Sequence, residues 1–203
     1  MPSSKAPPAA RPTAATGVRE ARRLETRARL FDAALAEIAR RGLAAADVAA
    51  IATAVGVVRG TFYFHFPTKE HVLVELELNE EARIVTELGE GTADLASVLS
   101  QVVQQVLDAQ LRLGATVFRD MLGLHFSSAR PLEDELQQHP LAGYLIGVVD
   151  RAQAAGAVTS SASAAEHATF FLTGLFALLA TGIDDAEVLN RYVTTIVKGM
   201  ENR

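Results

Sequence analysis

From Val18 to Gly156 the apolar residues recur at helical spacing almost without interruption, and no stretch shows strict apolar/polar alternation bounded by turn signals. A 3.6-residue period cannot keep one face of a β-strand dry, so the pattern dictates an all-α fold. In "RRLETRARLFDAALAEIARRGL", Leu30, Ala34, Leu35 and Ile38 form one apolar stripe, while Arg27, Glu37 and Arg41 lie off it. Gly42 ends this helix by adopting the left-handed conformation that glycine reaches most cheaply. A second short helix, "ADVAAIATAV", starts at Ala46 or Asp47, buries Val48, Ile51 and Ala52, and stops at Gly56. "RGTFYFHF" follows at once, and Pro67 with "TKEH" opens a fourth helix with Thr68 as its N-cap. Three short helices with a tight glycine turn between the second and third match a helix-turn-helix.

Beyond it the helical patterns lengthen: Thr68–Leu88, Ala93–Leu113, Ala115–Ser128, Leu132–Ala155 with a break at Pro140, Ser163–Thr181 and Asp184–Met200. The joints between them, such as "GEG", "RLG" and "TGID", are turn or capping chemistry. About nine helices are expected in all. The first seventeen residues hold four of the seven prolines and no apolar run, which predicts a disordered tail over 1–17. A helix-turn-helix domain over 18–70 and a larger helical domain over 71–203 complete the expected organisation.

Charge is distributed along the same division. Residues 1–70 hold 11 Lys/Arg against 6 Asp/Glu, whereas residues 71–203 hold 8 against 18. A basic front and an acidic back point to a polyanion as the partner of the front alone. Cysteine is absent, which excludes disulfides and thiol chemistry and accords with a cytoplasmic setting. The most apolar window, Ala168–Ile183, is too short to cross a bilayer, so no membrane partner is expected. The five histidines (65, 71, 125, 139 and 167) show no metal-ligand spacing. No nucleophile elbow, phosphate loop or dinucleotide fingerprint occurs either, so no catalytic residue, cofactor or metal is expected.

The chemistry concentrates in "VVRGTFYFHFPTKEH". Phe62 and Phe66 are four apart and share the face that would pack on the first two helices with Val57, while Arg59, Tyr63 and His65 fall elsewhere; Phe64 is unassigned. A forked guanidinium, a phenol and an imidazole can bond phosphate oxygens or base edges, and Arg59 has the bidentate geometry that suits guanine. Gly60 lets the backbone approach closely, and Lys69 lies where a helix N-terminus already favours a phosphate. The competing reading is four core rings with merely solvated polar groups.

With Gly42, Ile51-Ala52, Gly56-Val57, Gly60-Thr61, Tyr63, His65-Phe66 and Lys69-Glu70 all in register, the stretch from Thr26 to Leu73 resembles the TetR-type (tetracycline-repressor-like) transcriptional regulators. The resemblance covers about a quarter of the chain. It implies a repressor acting on double-stranded operator DNA, with Arg59, Thr61, Tyr63, His65 and Lys69 at the DNA-contacting positions. It also implies a homodimer and a small-molecule pocket in the C-terminal domain. Two positions depart from the family pattern: Val58 stands where a polar residue usually opens the recognition helix, and Ala46 where a Thr often opens helix two. Asp47 is then the available substitute cap, and arginines of the first helix, Arg27 among them, are placed to reach the DNA backbone. Either those arginines form such an arm or they are a solvated charge run. The expected DNA-facing set is Arg27, Asp47, Arg59, Gly60, Thr61, Tyr63, His65 and Lys69.

In the C-terminal part, "SAAEHATFFLTGLFALLATG" is apolar almost all round. Leu172, Leu175 and Leu179 form one stripe and Phe170, Gly174, Ala177 and Thr181 another, so one can face its own domain and the other a second copy. The last helix repeats the idea with Val188, Tyr192 and Ile196 beside Leu189, Val193 and Val197. The expected dimer interface is Phe170, Gly174, Leu175, Leu178, Val188, Tyr192 and Ile196, with simple core packing as the alternative. A small, mostly apolar organic ligand is expected among Gln104, Phe118, Met121, Leu122, His125, Phe126, Tyr144 and Phe171. The other functional class that fits is a DNA-binding protein with no small-molecule effector, acting architecturally or through a protein partner.

Overall fold

The structure is a computed structural model that describes residues 14–90, 94–131 and 139–201. Within these residues the chain forms nine α-helices: α1 (Ala14–Arg41), α2 (Val48–Val55), α3 (Arg59–His65), α4 (Glu70–Leu88), α5 (Leu95–Leu113), α6 (Ala115–His125), α7 (Pro140–Ala154), α8 (Ala164–Ala180) and α9 (Ala186–Met200). The one extended pairing among them is an isolated bridge between Val158 and Glu201. No single described helix is long and apolar enough to cross a membrane.

Local chemistry accounts for most of the boundaries. Gly42 and Gly56 take φ of 76° and 78°, and Gly56 closes α2 with its N–H on Thr53 O at 3.0 Å. Asp47 is the cap of α2, its carboxylate accepting from the Ala49 N–H at 2.8 Å. Asp94, Ser163 and Asp185 do the same for α5, α8 and α9, and Ser163 with Glu166 forms a complete capping box. Pro140, expected as a break, instead opens α7, where its missing N–H costs nothing.

Three expectations need correction. α1 begins at Ala14, inside the stretch expected to be tail, and residues 1–13 lie outside the described residues. Thr68 does not cap α4: the cap position belongs to Lys69, whose backbone is already helical (φ −69°, ψ −23°), and the Thr68 hydroxyl is hydrogen-bonded to His71 Nδ1 at 3.0 Å instead. Glu37, placed on the solvent side, is buried; its carboxylate receives Arg40 at 2.7 Å and the Asp47 N–H at 3.3 Å, fastening α2 to α1.

Two cores result. The smaller gathers Leu30, Ala34, Val48, Ile51, Val55, Phe62, Phe66 and Val72, which joins α1, α2 and α3 to the first turn of α4. The larger takes Leu73, Leu76 and Ile84 of the same helix together with apolar residues of α5 to α9. A bidentate ion pair from Arg27 on α1 to Glu75 on α4 (2.6 Å for Arg27 Nη1 to Glu75 Oε1) adds a polar clamp across them. On the other side the Asp120 carboxylate of α6 accepts from the Leu43 N–H at 2.6 Å.

Candidate nucleic-acid interface and the core of the larger domain

Helix α3 is held by its apolar side. Phe62 and Phe66 are fully buried with ring centroids 5.6 Å apart, Phe31 of α1 closes on Phe66 at 6.3 Å, and Tyr63 meets Phe62 edge-on at 5.5 Å. The opposite side stays open. Arg59 and Gly60 are exposed, and Tyr63 is largely so. The Arg59 Nη2 donates to Tyr63 Oη at 3.1 Å while the guanidinium lies 5.5 Å from the Tyr63 ring centroid. One turn of helix thus holds a planar donor fork and a phenol as a preformed pair.

Around that pair lies an open depression of about 360 Å³ that brings together Asp47, Arg59, Tyr63, Thr68 and Lys69. Lys69 is anchored there rather than free: its ammonium donates to Ala44 O at 2.8 Å and Ala46 O at 3.5 Å. Thr61 and His65 are half-buried. His65 Nδ1 has no hydrogen-bond partner among the described residues. Burial, with the charges of Arg23 and Arg27 behind it, pushes the His65 imidazole below its ordinary value. Arg27 does not line that depression; it is committed to Glu75 and stacked 4.6 Å over the Phe66 ring.

The eight residues expected to line a ligand pocket do not converge. Phe118, Met121 and Leu122 are buried against a small cavity of only about 20 Å³, which they share with Glu77, Glu80 and Glu81. Tyr144 instead lines a separate cleft of about 950 Å³ with Gly143, Gly147 and Arg151, and its hydroxyl is buried without a hydrogen-bond partner among the described residues. Gln104 is exposed, donating to Asp108 at 3.0 Å; Phe126 is exposed at the end of α6; and Phe171 is buried against Tyr192, 5.8 Å between centroids. Helical spacing assigns each residue to a face but cannot tell which of two cavities that face borders. His125 sits beside the small cavity, with its Nδ1 3.2 Å from Glu77 Oε1 and its ring 5.4 Å from that of Phe176.

On α8 the stripe of Leu172, Leu175 and Leu179 turns inward, so Leu175 is core and not available to a second copy. The stripe with Phe170 (59% exposed), Ala177 and Thr181 stays open. Gly174 is already occupied from within the chain: a Cβ there would lie 2.9 Å from two ring carbons of Tyr192, whose hydroxyl donates to Phe171 O at 2.6 Å. Leu178, Val188, Tyr192 and Ile196 are half-buried at the same edge.

A model of "Bacterial regulatory proteins, tetR family" matches residues 30–76, from the middle of α1 to the middle of α4. Over those residues the chain carries the helix-turn-helix of the TetR family. A search of curated proteins found no match. Among solved structures, Thermus thermophilus FadR, a TetR family transcriptional repressor in complex with lauroyl-CoA, is 23% identical over 87% of this chain and 96% of its own, with a TM-score of 0.66. The fatty acid degradation regulator FadR from Bacillus halodurans is 19% identical over 86% and 99%, with a TM-score of 0.64. RolR in complex with resorcinol is 18% identical over 90% of each chain, with a TM-score of 0.63. At these identities the likeness is one of fold.

Two exposed apolar residues at α3 stand outside the expected DNA-facing set: Val58, the departure at the helix start, and Phe64, which the sequence leaves unassigned. Val58 and Phe64 are 75% and 72% exposed, the most outlying apolar groups of the helix-turn-helix. Their signal was present: Phe64 stands two residues from Phe62, hence on the opposite side of the helix. Val58 takes the cap position of α3 with extended backbone and makes no side-chain cap bond, so the start of that helix is unassisted.

Proposed function

We propose that this TetR-family chain is a repressor that binds a pseudo-palindromic operator as a homodimer and is released by a small organic ligand. The observation that carries the reading is the division of α3, with Phe62 and Phe66 sealed into the smaller core and the Arg59–Tyr63 pair presented outward. Residues 18–70 act as the head and 71–203 as the ligand-binding and dimerising body. The head lays α3 in the major groove, Arg59 reads guanine, Phe64 and Val58 meet thymine methyls, and Tyr63 and Lys69 hold the backbone. Two copies join through the open stripe of α8 and the adjoining face of α9, which sets two heads about 34 Å or more apart along the duplex.

The effector site we propose is the cleft beside Tyr144. Its volume falls within the range of about 300–1,000 Å³ typical of ligand sites, whereas the small cavity under Phe118 has room for about one water. Ligand-bound relatives of the same fold, with lauroyl-CoA in one and resorcinol in another, support a mostly apolar occupant. Binding there favours a head spacing that no longer fits successive grooves.

Titration of fluorescent duplexes from the DNA flanking the gene, at several salt concentrations, tests the reading. A specific site bound about 10³-fold or more tighter than scrambled DNA is expected, and retention indifferent to sequence at every salt concentration would refute it.

A further inference from the structure

Helix α1 reaches past the core that it helps to build. No described side chain before Leu30 is buried along it, and every residue from Val18 to Glu25 is exposed. At 1.5 Å per residue those exposed turns extend about 12 Å. Contacts near both ends fix their direction. Just beyond the C-terminal end of α1 the Leu43 N–H is bonded to Asp120 of α6. Toward the other end Arg27 lies 4.6 Å over the ring of Phe66, the residue that closes α3, and the Phe31 ring lies 6.3 Å from the same ring. The exposed turns therefore run out beside the end of α3, at the end of α1 remote from α6.

The arginines of α1 from Arg19 to Arg29 fall into two groups. Arg27 is paired with Glu75, and Arg29 Nη2 donates to Val55 O at 2.9 Å, so both are tied to the fold. Arg19 and Arg22 have no side-chain partner among the described residues. Arg23 holds only Glu20 at 2.7 Å, an exposed pair three residues apart that contributes little and is readily given up. Arg19, Arg22 and Arg23 fall within about 100° of the helix surface, in line with Leu30, while Glu20 and Glu25 fall outside that arc. The face that buries Leu30 in the head thus continues beyond it as guanidinium groups. Arg23 is near enough to His65, at the end of α3, to add to the lowering of its imidazole that burial begins. A helical segment with nothing packed on it is marginal in water, and Arg19 and Arg23, one turn apart, repel each other; a polyanion lying along that face relieves both. We propose that Arg19, Arg22 and Arg23 are a second DNA-contacting surface, closing on phosphates that border the groove entered by α3. Arg19 and Arg23 stand about 6 Å apart along the helix axis, close to two nucleotide steps along one strand. The proposal rests on the reading of α3 as the DNA-facing helix.

Fluorescent duplexes titrated at several salt concentrations with the full chain and with its R19Q/R22Q/R23Q variant test the proposal. These side chains pack on nothing and glutamine matches arginine in helix propensity, so circular dichroism is expected to show the variant folded as wild type. The slope of log affinity against log salt is expected to fall by about 0.9 for each arginine, or about 2.7 for each bound head. The fall is expected to be the same on operator and scrambled duplex, because phosphates carry no sequence. R19K/R22K/R23K, which keeps the charges, is expected to restore the slope. Equal slopes for wild type and the glutamine variant overturn the proposal, and so does a loss confined to the operator duplex, which would make the arginines base contacts. The scrambled duplex alone decides this surface, whereas the operator reading fails if wild type prefers no sequence, whatever the arginines do. A wild type that retains neither duplex overturns both.

Discussion

Gly174→Ala is a substitution that raises helix propensity yet is expected to destabilise this protein. In the interior of α8 the added methyl lowers the entropy cost of folding and by itself stabilises by about 0.5–1 kcal/mol. The same methyl would stand 2.9 Å from Cε2 and Cζ of Tyr192, a separation that real side chains do not tolerate. The ring cannot simply slide, because its hydroxyl is bonded to Phe171 O at 2.6 Å and its face stacks on Phe171. Burial pushes the phenol up to about 12, so it remains a donor throughout any ordinary assay. Overpacking of this kind costs about 1–3 kcal/mol, which outweighs the propensity gain and leaves a net loss of about 1–2 kcal/mol. With a urea slope of about 2 kcal/mol/M, the midpoint falls by about 0.5–1 M at unchanged slope. The sign reverses in a Tyr192→Leu background, where the methyl meets no ring and Gly174→Ala raises the midpoint. Urea melts of the four variants, at one fixed concentration so that association does not confound them, make the measurement. A midpoint that rises in the wild-type background, or effects equal in the two backgrounds, would refute the reasoning.

Other substitutions test the head. Asp47→Ala removes the side-chain cap of α2 and is expected to cost about 1 kcal/mol by urea melting, with Asp47→Ser recovering most of it. Arg27→Met is expected to lower stability while leaving the salt dependence of DNA binding unchanged, since that guanidinium is spent on Glu75; Lys69→Met is expected to lower the slope of log affinity against log salt by about 0.9. Arg59→Ala is expected to relax base preference at one operator position by about 1–3 kcal/mol, and an equal loss on every sequence would make it a phosphate contact. Because His65 has a lowered folded-state value, the unfolded chain binds the extra proton: the stability it contributes is complete above about pH 6.5, the unfolded-state value, and declines as pH falls below it. Urea midpoints between pH 7.5 and pH 5 are therefore expected to drop less in His65→Gln than in wild type.

What could be read from the sequence follows from the range of the interactions concerned. Gly42, Gly56, Asp47 and the Phe62–Phe66 pair were legible because a cap, a left-handed turn or a one-turn spacing is complete within a few residues. The inward stripe of α8 was legible for the same reason, but Leu175 could not be divided between core and interface until α9 placed Tyr192 across Gly174. Arg27 read as free because its partner is forty-eight residues on, and helical periodicity reports which side a residue faces, not what waits there. Thr68 had the right chemistry one residue too early for the backbone it would cap. Glu77 and Glu81 lay among other acidic residues of α4 and gave no local sign of burial; only the packing of α7 and the connection after α6 distinguishes them from the solvated Glu87. The pocket was least legible, since a cavity is defined by several helices at once.

Consecutive residues of α4 serve different cores: Val72 closes the smaller one and Leu73 enters the larger. A head cut at residue 70 would lose Val72, and a body begun at 71 would lose Phe31 and Leu35, which touch both clusters. The two halves therefore share a rigid axle instead of a linker, and neither can melt without freeing the other's end of it. Heating is accordingly expected to produce a single calorimetric peak for the described fold, its van't Hoff and calorimetric enthalpies equal per cooperative unit. A protein built this way conveys strain between its ends through a shared packed helix, braced on the other side by the Asp120 bond to Leu43.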